Sequence, residues 1–292
     1  MGYSHYFHCA TKGLQDDILF PSTRAFIAGM NRIGVTYLQA KQNNPVIIIA
    51  FCLMDNHVHF ILYGTYESCL KFMCKYRILT EMWFAYHPDE GRGKKKWDIG
   101  IWRINDQESL IEKIAYVLRN PTAAGMPVAP YGYRWSSANL MFTENSFKTQ
   151  DKKHSRDISL TKNRKLFNTK TRIPKDWMLD SSGMIWPGCY TDYERTQRLF
   201  KTVSSFNFEM NRKIEDKVNA EMLADSISLP DSDILEKAEK LSSSLFDTGR
   251  IKELSVPQRT QLAKILKKET GASSKQLSRI VGIRQDLLKE LI

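Results

Sequence analysis

The sequence predicts an α+β fold in which an antiparallel sheet is flanked by helices and followed by a helical C-terminal region. Three observations predict it. Two β-rich runs, 44–54 (NPVIIIAFCLM) and 57–64 (HVHFILYG), are separated only by the turn-forming pair Asp55-Asn56, which is the pattern of an antiparallel hairpin. Long segments with apolar residues at helical spacing lie before and after that hairpin. From Ser255 onward the text becomes helix, glycine, short helix, glycine, helix.

Taken in order, 3–11 (YSHYFHCAT) reads as an opening strand, and 21–42 as a helix with Phe26, Met30, Ile33, Tyr37 and Leu38 on one face. The hairpin follows, with a second helix predicted over 66–86. The Gly-rich basic loop 89–97 (DEGRGKKKW) breaks that helix. A third helix spans 106–126 (DQESLIEKIAYVLRNPTAAGM), N-capped by Asp106 and stopped by Pro121 near Arg119 or Asn120. After 131–142 (YGYRWSSANLMF) the chain turns polar and basic, and 143–175 is expected to be an extended or poorly ordered basic linker. An accessory, mostly helical segment is expected over 176–230. A helical domain is expected over 231–292: Gly271 ends a helix begun near Ser255, a short helix runs from a capping-box-like Ser273 and Gln276 to Gly282, and a third helix closes the chain. That succession is the helix-turn-helix pattern.

Composition bounds the function. The chain has 292 residues, 42% hydrophobic and 11% aromatic, enough to bury a real core. No apolar run approaches the roughly 20 residues that span a bilayer, and MGYSHYFHCATKG has no basic n-region followed by an apolar stretch, so neither membrane insertion nor secretion is expected. The five cysteines are scattered and form no C-x-x-C pair, which suits a reducing, cytoplasmic setting. The net charge of +11 is concentrated: 148–175 holds ten Lys/Arg against two Asp/Glu, and 251–292 nine against four, so the rest of the chain carries about −2. A polyanionic partner, most simply nucleic acid, fits that distribution; so do a solvated loop and a solvated helix face.

Inside the hairpin, His57 and His59 are i and i+2, so both project from one face of a strand while Val58 and Phe60 pack the other. Two neutral imidazoles so placed can bind one divalent cation. Alone, H-x-H fits two satisfied core or surface histidines equally well; it needs a third ligand. The helix SLIEKIAYVLRNP offers Tyr116 and Asn120, i and i+4 on one face, with Ile111, Ile114, Val117 and Leu118 as a docking stripe. Asn120 carries an amide oxygen that suits a hard cation. A tyrosine at a helix-sheet boundary and an asparagine that merely precedes proline would leave the same spacing.

Together, MDNHVHFILYG followed by YVLRNPTAAGM resembles the HUH single-tyrosine transposases, specifically the REP-associated tyrosine transposases related to those of simple insertion sequences. The resemblance covers roughly Tyr3 to Phe142, and implies a catalytic domain over 1–142 of ferredoxin/RRM-like fold with the histidines on a central strand. It also implies Tyr116 as nucleophile, with His57, His59 and Asn120 as ligands of Mg²⁺ or Mn²⁺. Cleavage and rejoining of single-stranded, hairpin-flanked DNA through a 5′-phosphotyrosine then follow, without a nucleotide cofactor. A free tyrosine titrates near ~10, so deprotonation needs help; His5, His8 and Lys113 are candidate neighbours. DNA contact is expected from Lys94, Lys95 and Lys96 of the basic loop, from the 148–175 run, and from Arg284, Gln285 and Lys289 of the last helix. The acting form is a monomer or a homodimer.

Three other readings compete. Relaxases place the tyrosine before the histidines, and replication initiators usually carry lysine three residues after it; here Tyr116 follows them and position 119 is Arg. A metal-dependent hydrolase would want further ligands, and His5, His8, His87 and His154 form no motif. A DNA-binding regulator could use the same fold without turnover.

Overall fold

The computed structural model describes residues 3–12, 18–90, 98–126, 128–142, 153–211, 231–272 and 274–291. Four strands build the main sheet: β1 (His5–Lys12), β2 (Ile47–Leu53), β3 (Val58–Gly64) and β4 (Asp98–Ile104), all antiparallel in the order β2-β3-β1-β4. The expected hairpin is β2-β3, and β3 is central. His59 lies within it, whereas His57 sits one residue before its start, in the turn; the expectation of both histidines on the strand holds for His59 alone. β4 was not expected from the sequence.

Strand alternation divides the core. One face carries Phe7, Cys9, Phe51, Val58, Phe60 and Leu62, packed under α1 (Thr23–Asn43) and α2 (Tyr66–Tyr86). The other carries Ile49, Cys52 and Ile61, packed under α3 (Gln107–Leu118), and it is from this face that His59 projects. The Asp106 carboxylate caps α3 by accepting the Ser109 N–H at 2.8 Å, as its spacing predicts. The helix stops at Leu118, and a short turn, α4 (Asn120–Ala123), restarts after Arg119, because Pro121 has no N–H to continue the ladder.

The stretch expected to be an extended linker differs from that expectation. Residues 143–152 lie outside the described residues, but 153–175 hold β5 (Lys153–His154) and α5 (Leu160–Phe167), and β5 pairs with β6 (Met178–Leu179). Phe167 and Ile173 are buried in the α1/α2 core, and the buried Arg32 guanidinium donates to the Phe167 carbonyl. A few apolar anchors outweigh the polar composition: the basic residues coat the outside of a segment whose apolar side chains face α1.

Further on, α6 (Tyr193–Phe200) packs on β2 and α7 (Val203–Asn211) on α3; Asp192 N–H donates to the Ile48 carbonyl at 2.8 Å, tying the start of α6 to strand β2. The C-terminal helices are α8 (Asp231–Phe246), α9 (Val256–Thr270), α10 (Ser274–Val281) and α11 (Gln285–Leu291). They surround a core of their own, with Ile234, Leu262, Leu266, Leu277, Ile280 and Leu288. A capping box between Ser255 and Gln258 opens α9, and Gly271, at φ 64°, closes it in the left-handed conformation that glycine tolerates best. The proposed cap Ser273 lies outside the described residues.

Candidate active site

Four elements meet on the α3 face of the sheet. Register places His8 of β1 directly opposite Trp102 of β4, and opposite Ile61 of β3; His59 stands one diagonal step away, paired with Ala10. The His8 and His59 rings stack with centroids 5.1 Å apart, and His8 Nε2 lies 3.0 Å from His59 Nδ1. Trp102 stacks on His8 at 5.3 Å. Helix α3 brings Tyr116 down onto this row: its ring meets His59 edge-on at 5.5 Å and His8 at 5.8 Å. Tyr116 is 42% exposed, so its ring rests on the histidines while solvent reaches it.

His57 approaches from the turn, its ring 4.7 Å from that of His59. Its Nδ1 is 2.6 Å from the Asn56 side-chain oxygen, and its Nε2 lies 3.4 Å from Asn120 Oδ1. Asn120 is oriented by the helix end: its amide N–H groups donate to the Tyr116 carbonyl at 2.8 Å and toward that of Val117 at 3.5 Å, satisfying C-terminal carbonyls that α3 leaves open. The amide oxygen is thereby turned toward His57. The structure thus brings together Tyr116, His57, His59 and Asn120, candidates from chain positions more than fifty residues apart.

Burial keeps the His8 and His59 imidazoles neutral. Burial, aided by the Lys113 charge, pushes His8 down to about 4. Burial, then the neighbouring His57 and His8, holds His59 well below the usual histidine range. Neutral rings are what a cation requires of its ligands. Lys113, one turn before Tyr116, places its ammonium 5.7 Å from the Tyr116 ring centroid.

By their chemistry, His57, His59 and Asn120 are residues that could hold a divalent ion. Two imidazoles and one amide oxygen are mixed ligands, and they leave coordination positions for water and phosphate oxygens. Among the described residues no group of three or more His, Cys, Asp or Glu side chains is placed to hold a metal, so Asn120 is the member on which the set depends. A cleft of about 600 Å³ lined by His5, Phe7, Tyr66 and Arg103 opens on the opposite face of the sheet and involves none of these residues.

The expected DNA contacts fare unevenly. Lys94, Lys95 and Lys96 lie outside the described residues, as does the side chain of Lys289. Arg284 precedes α11 rather than lying on it and pairs with Asp286; Gln285 begins that helix. Of the three neighbours considered for deprotonation, His8 and Lys113 are at the site. His5 belongs to the opposite face. Trp102 escaped notice because β4 did.

No family model and no curated protein matches the chain. Among solved structures it is similar to one described as the structure of the REP associates tyrosine transposase bound to a REP hairpin, over 48% of this chain and 78% of that one, at 13% identity and a TM-score of 0.34. A likeness this distant carries no functional argument. No described helix is long and apolar enough to cross a membrane.

Proposed function

We propose that the protein is a DNA strand transferase of the single-tyrosine HUH transposase class, cleaving and rejoining single-stranded, hairpin-flanked DNA. The observation that supports this reading best is the contact of a partly exposed tyrosine with a buried histidine pair, with Asn120 one helical turn away facing His57. Tyr116 supplies the nucleophile: its oxygen bonds to phosphorus as the bond to the 3′ oxygen breaks, the phenolic proton goes to solvent or a neighbouring base, and the 3′-hydroxyl leaves protonated. Lys113, whose ammonium lies 5.7 Å from the Tyr116 ring centroid, attracts the approaching phosphate. His57, His59 and Asn120 would hold Mg²⁺ or Mn²⁺, which when bound neutralises phosphate charge and polarises the phosphorus. Because the phosphotyrosine conserves the energy of the broken bond, rejoining needs no nucleotide cofactor. The C-terminal helices, through Arg284, Gln285 and Lys289, add duplex or hairpin contact as a helix-turn-helix.

The test is incubation of purified protein with labelled single strands from the flanks of its own gene, with Mg²⁺ or Mn²⁺, followed by a denaturing gel. A covalently shifted band is expected, lost in chelator and in Tyr116→Phe, while the variant still retards the DNA on a native gel. Capture surviving in Tyr116→Phe would refute the assignment. Retardation with no covalent band, across several hairpins and both ions, would leave a DNA-binding regulator on this fold.

A further inference from the structure

Trp102 is 44% exposed on the edge strand β4, although its indole is already stacked on His8. A large aromatic left this open on a sheet edge forgoes much of its hydrophobic stabilisation, and here it does so one imidazole away from Tyr116, since both rings lean on His8. Single-stranded nucleic acid is held by two kinds of group, π-faces for bases and cations for the backbone. Trp102 offers the first and Lys113, beside the Tyr116 ring, the second.

We infer that Trp102 is a stacking platform for an unpaired nucleobase of the nucleotide adjoining the phosphate that Tyr116 attacks. The inference rests on the strand-transfer reading above and adds to it a base subsite. Both rings contact the same imidazole, so the base on Trp102 belongs to a nucleotide next to the reacting phosphate and not to a remote one. Stacking accepts any base, so the subsite fixes the position of the strand without reading its sequence.

The experiment is an equilibrium binding titration of single-stranded oligonucleotides in chelator, where no cleavage interferes, combined with a scan of single abasic positions. Trp102→Leu, which keeps an apolar cover over His8 but has no π-face, should weaken binding about 5- to 150-fold, and Trp102→Phe should recover most of it. One abasic position beside the cleavage site should weaken the wild-type protein by a similar factor and leave Trp102→Leu unaffected, because the two changes remove the same contact. Wild-type affinity in Trp102→Leu, or losses that simply add at every abasic position, would overturn the inference. Equal melting temperatures of the three proteins guard against a folding defect, and Trp102→Phe carries the test should the leucine variant fail to fold. If covalent capture fails while the abasic footprint persists, the strand-transfer reading falls and the subsite stands; capture without the footprint removes the subsite alone.

Discussion

His8 is the hub of the candidate site, in contact with His59, Trp102 and Tyr116 at once. Its Nε2 and the Nδ1 of His59 share one proton across 3.0 Å, so one ring must donate and the other accept. If His59 donates from Nδ1, its Nε2 lone pair is left for a cation, and the neutral state imposed on His8 by burial makes it a suitable acceptor. His8→Phe keeps a ring beneath Trp102 but removes the acceptor. The expected result is about 10- to 100-fold weaker Mn²⁺ binding, the usual cost of losing such an orienting partner, read by calorimetry on DNA-free protein. Unchanged affinity would mean that His59 keeps its orientation without His8. The pairs His57/His59 and Tyr116/Asn120 were legible in the sequence because their partners are two and four residues apart, a spacing that keeps them on one side even though His57 lies in the turn before β3 and Asn120 just past the end of α3. His8 remained one candidate of three, since its partnership depends on the register between β1 and β3, and no local pattern sets that.

At the scale of elements, the site depends on how the start of β3 is held. The Thr11 hydroxyl at the end of β1 accepts the N–H of Val58 at 2.9 Å, and Val58 is the residue between the two histidines. Both groups are buried. Thr11→Val preserves the shape but strands that N–H, at a cost of about 1–3 kcal/mol. A lower denaturation midpoint and weaker Mn²⁺ binding should appear together, and Thr11→Ser should restore both. A valine variant as stable as wild type would show that β3 needs no such anchor. Helices α1, α2 and α3 were readable because each sustains an amphipathic stripe with a capping residue. β4 was not, because its seven residues sit between a basic loop and the Asp106 cap, with Gly100 interrupting the alternation. The folded 153–175 segment was hidden for a different reason: its order comes from the fit of Phe167 and Ile173 against α1, a tertiary match that composition does not encode.

For the whole molecule, the question is how the C-terminal helical core is joined to the sheet. Four distant chain positions meet in one cluster. The backbone N–H of Asp231, at the start of α8, donates to the Asp55 carboxylate at 2.7 Å; the Arg279 guanidinium of α10 pairs with the Asp231 side chain, its Nε at 2.6 Å; and the Asp55 carbonyl accepts the N–H groups of Leu19 at 2.6 Å and Phe20 at 2.9 Å. Burial first, then the nearby Asp231, raises Asp55 to about 7. Ile18 enters the C-terminal core beside this cluster. Neither the 231–292 boundary nor the helical pattern pointed to such a joint, since it depends on a carboxylate in the same turn that carries His57. Removing the guanidinium leaves the Asp231 charge buried without its partner, a loss of roughly 3–5 kcal/mol for such pairs. Arg279→Met should therefore lower stability and reduce hydrogen-exchange protection of the Leu19, Phe20 and Asp231 amides, all of which bond to Asp55. Adding Asp231→Asn should restore part of it, because the stranded charge is then gone. If those amides stay protected in Arg279→Met, the helical core is held by Ile18 and its apolar neighbours alone. If they lose protection along with Mn²⁺ affinity, the turn bearing His57 is braced by the C-terminal helices, and whatever engages those helices acts on the candidate site through Asp55.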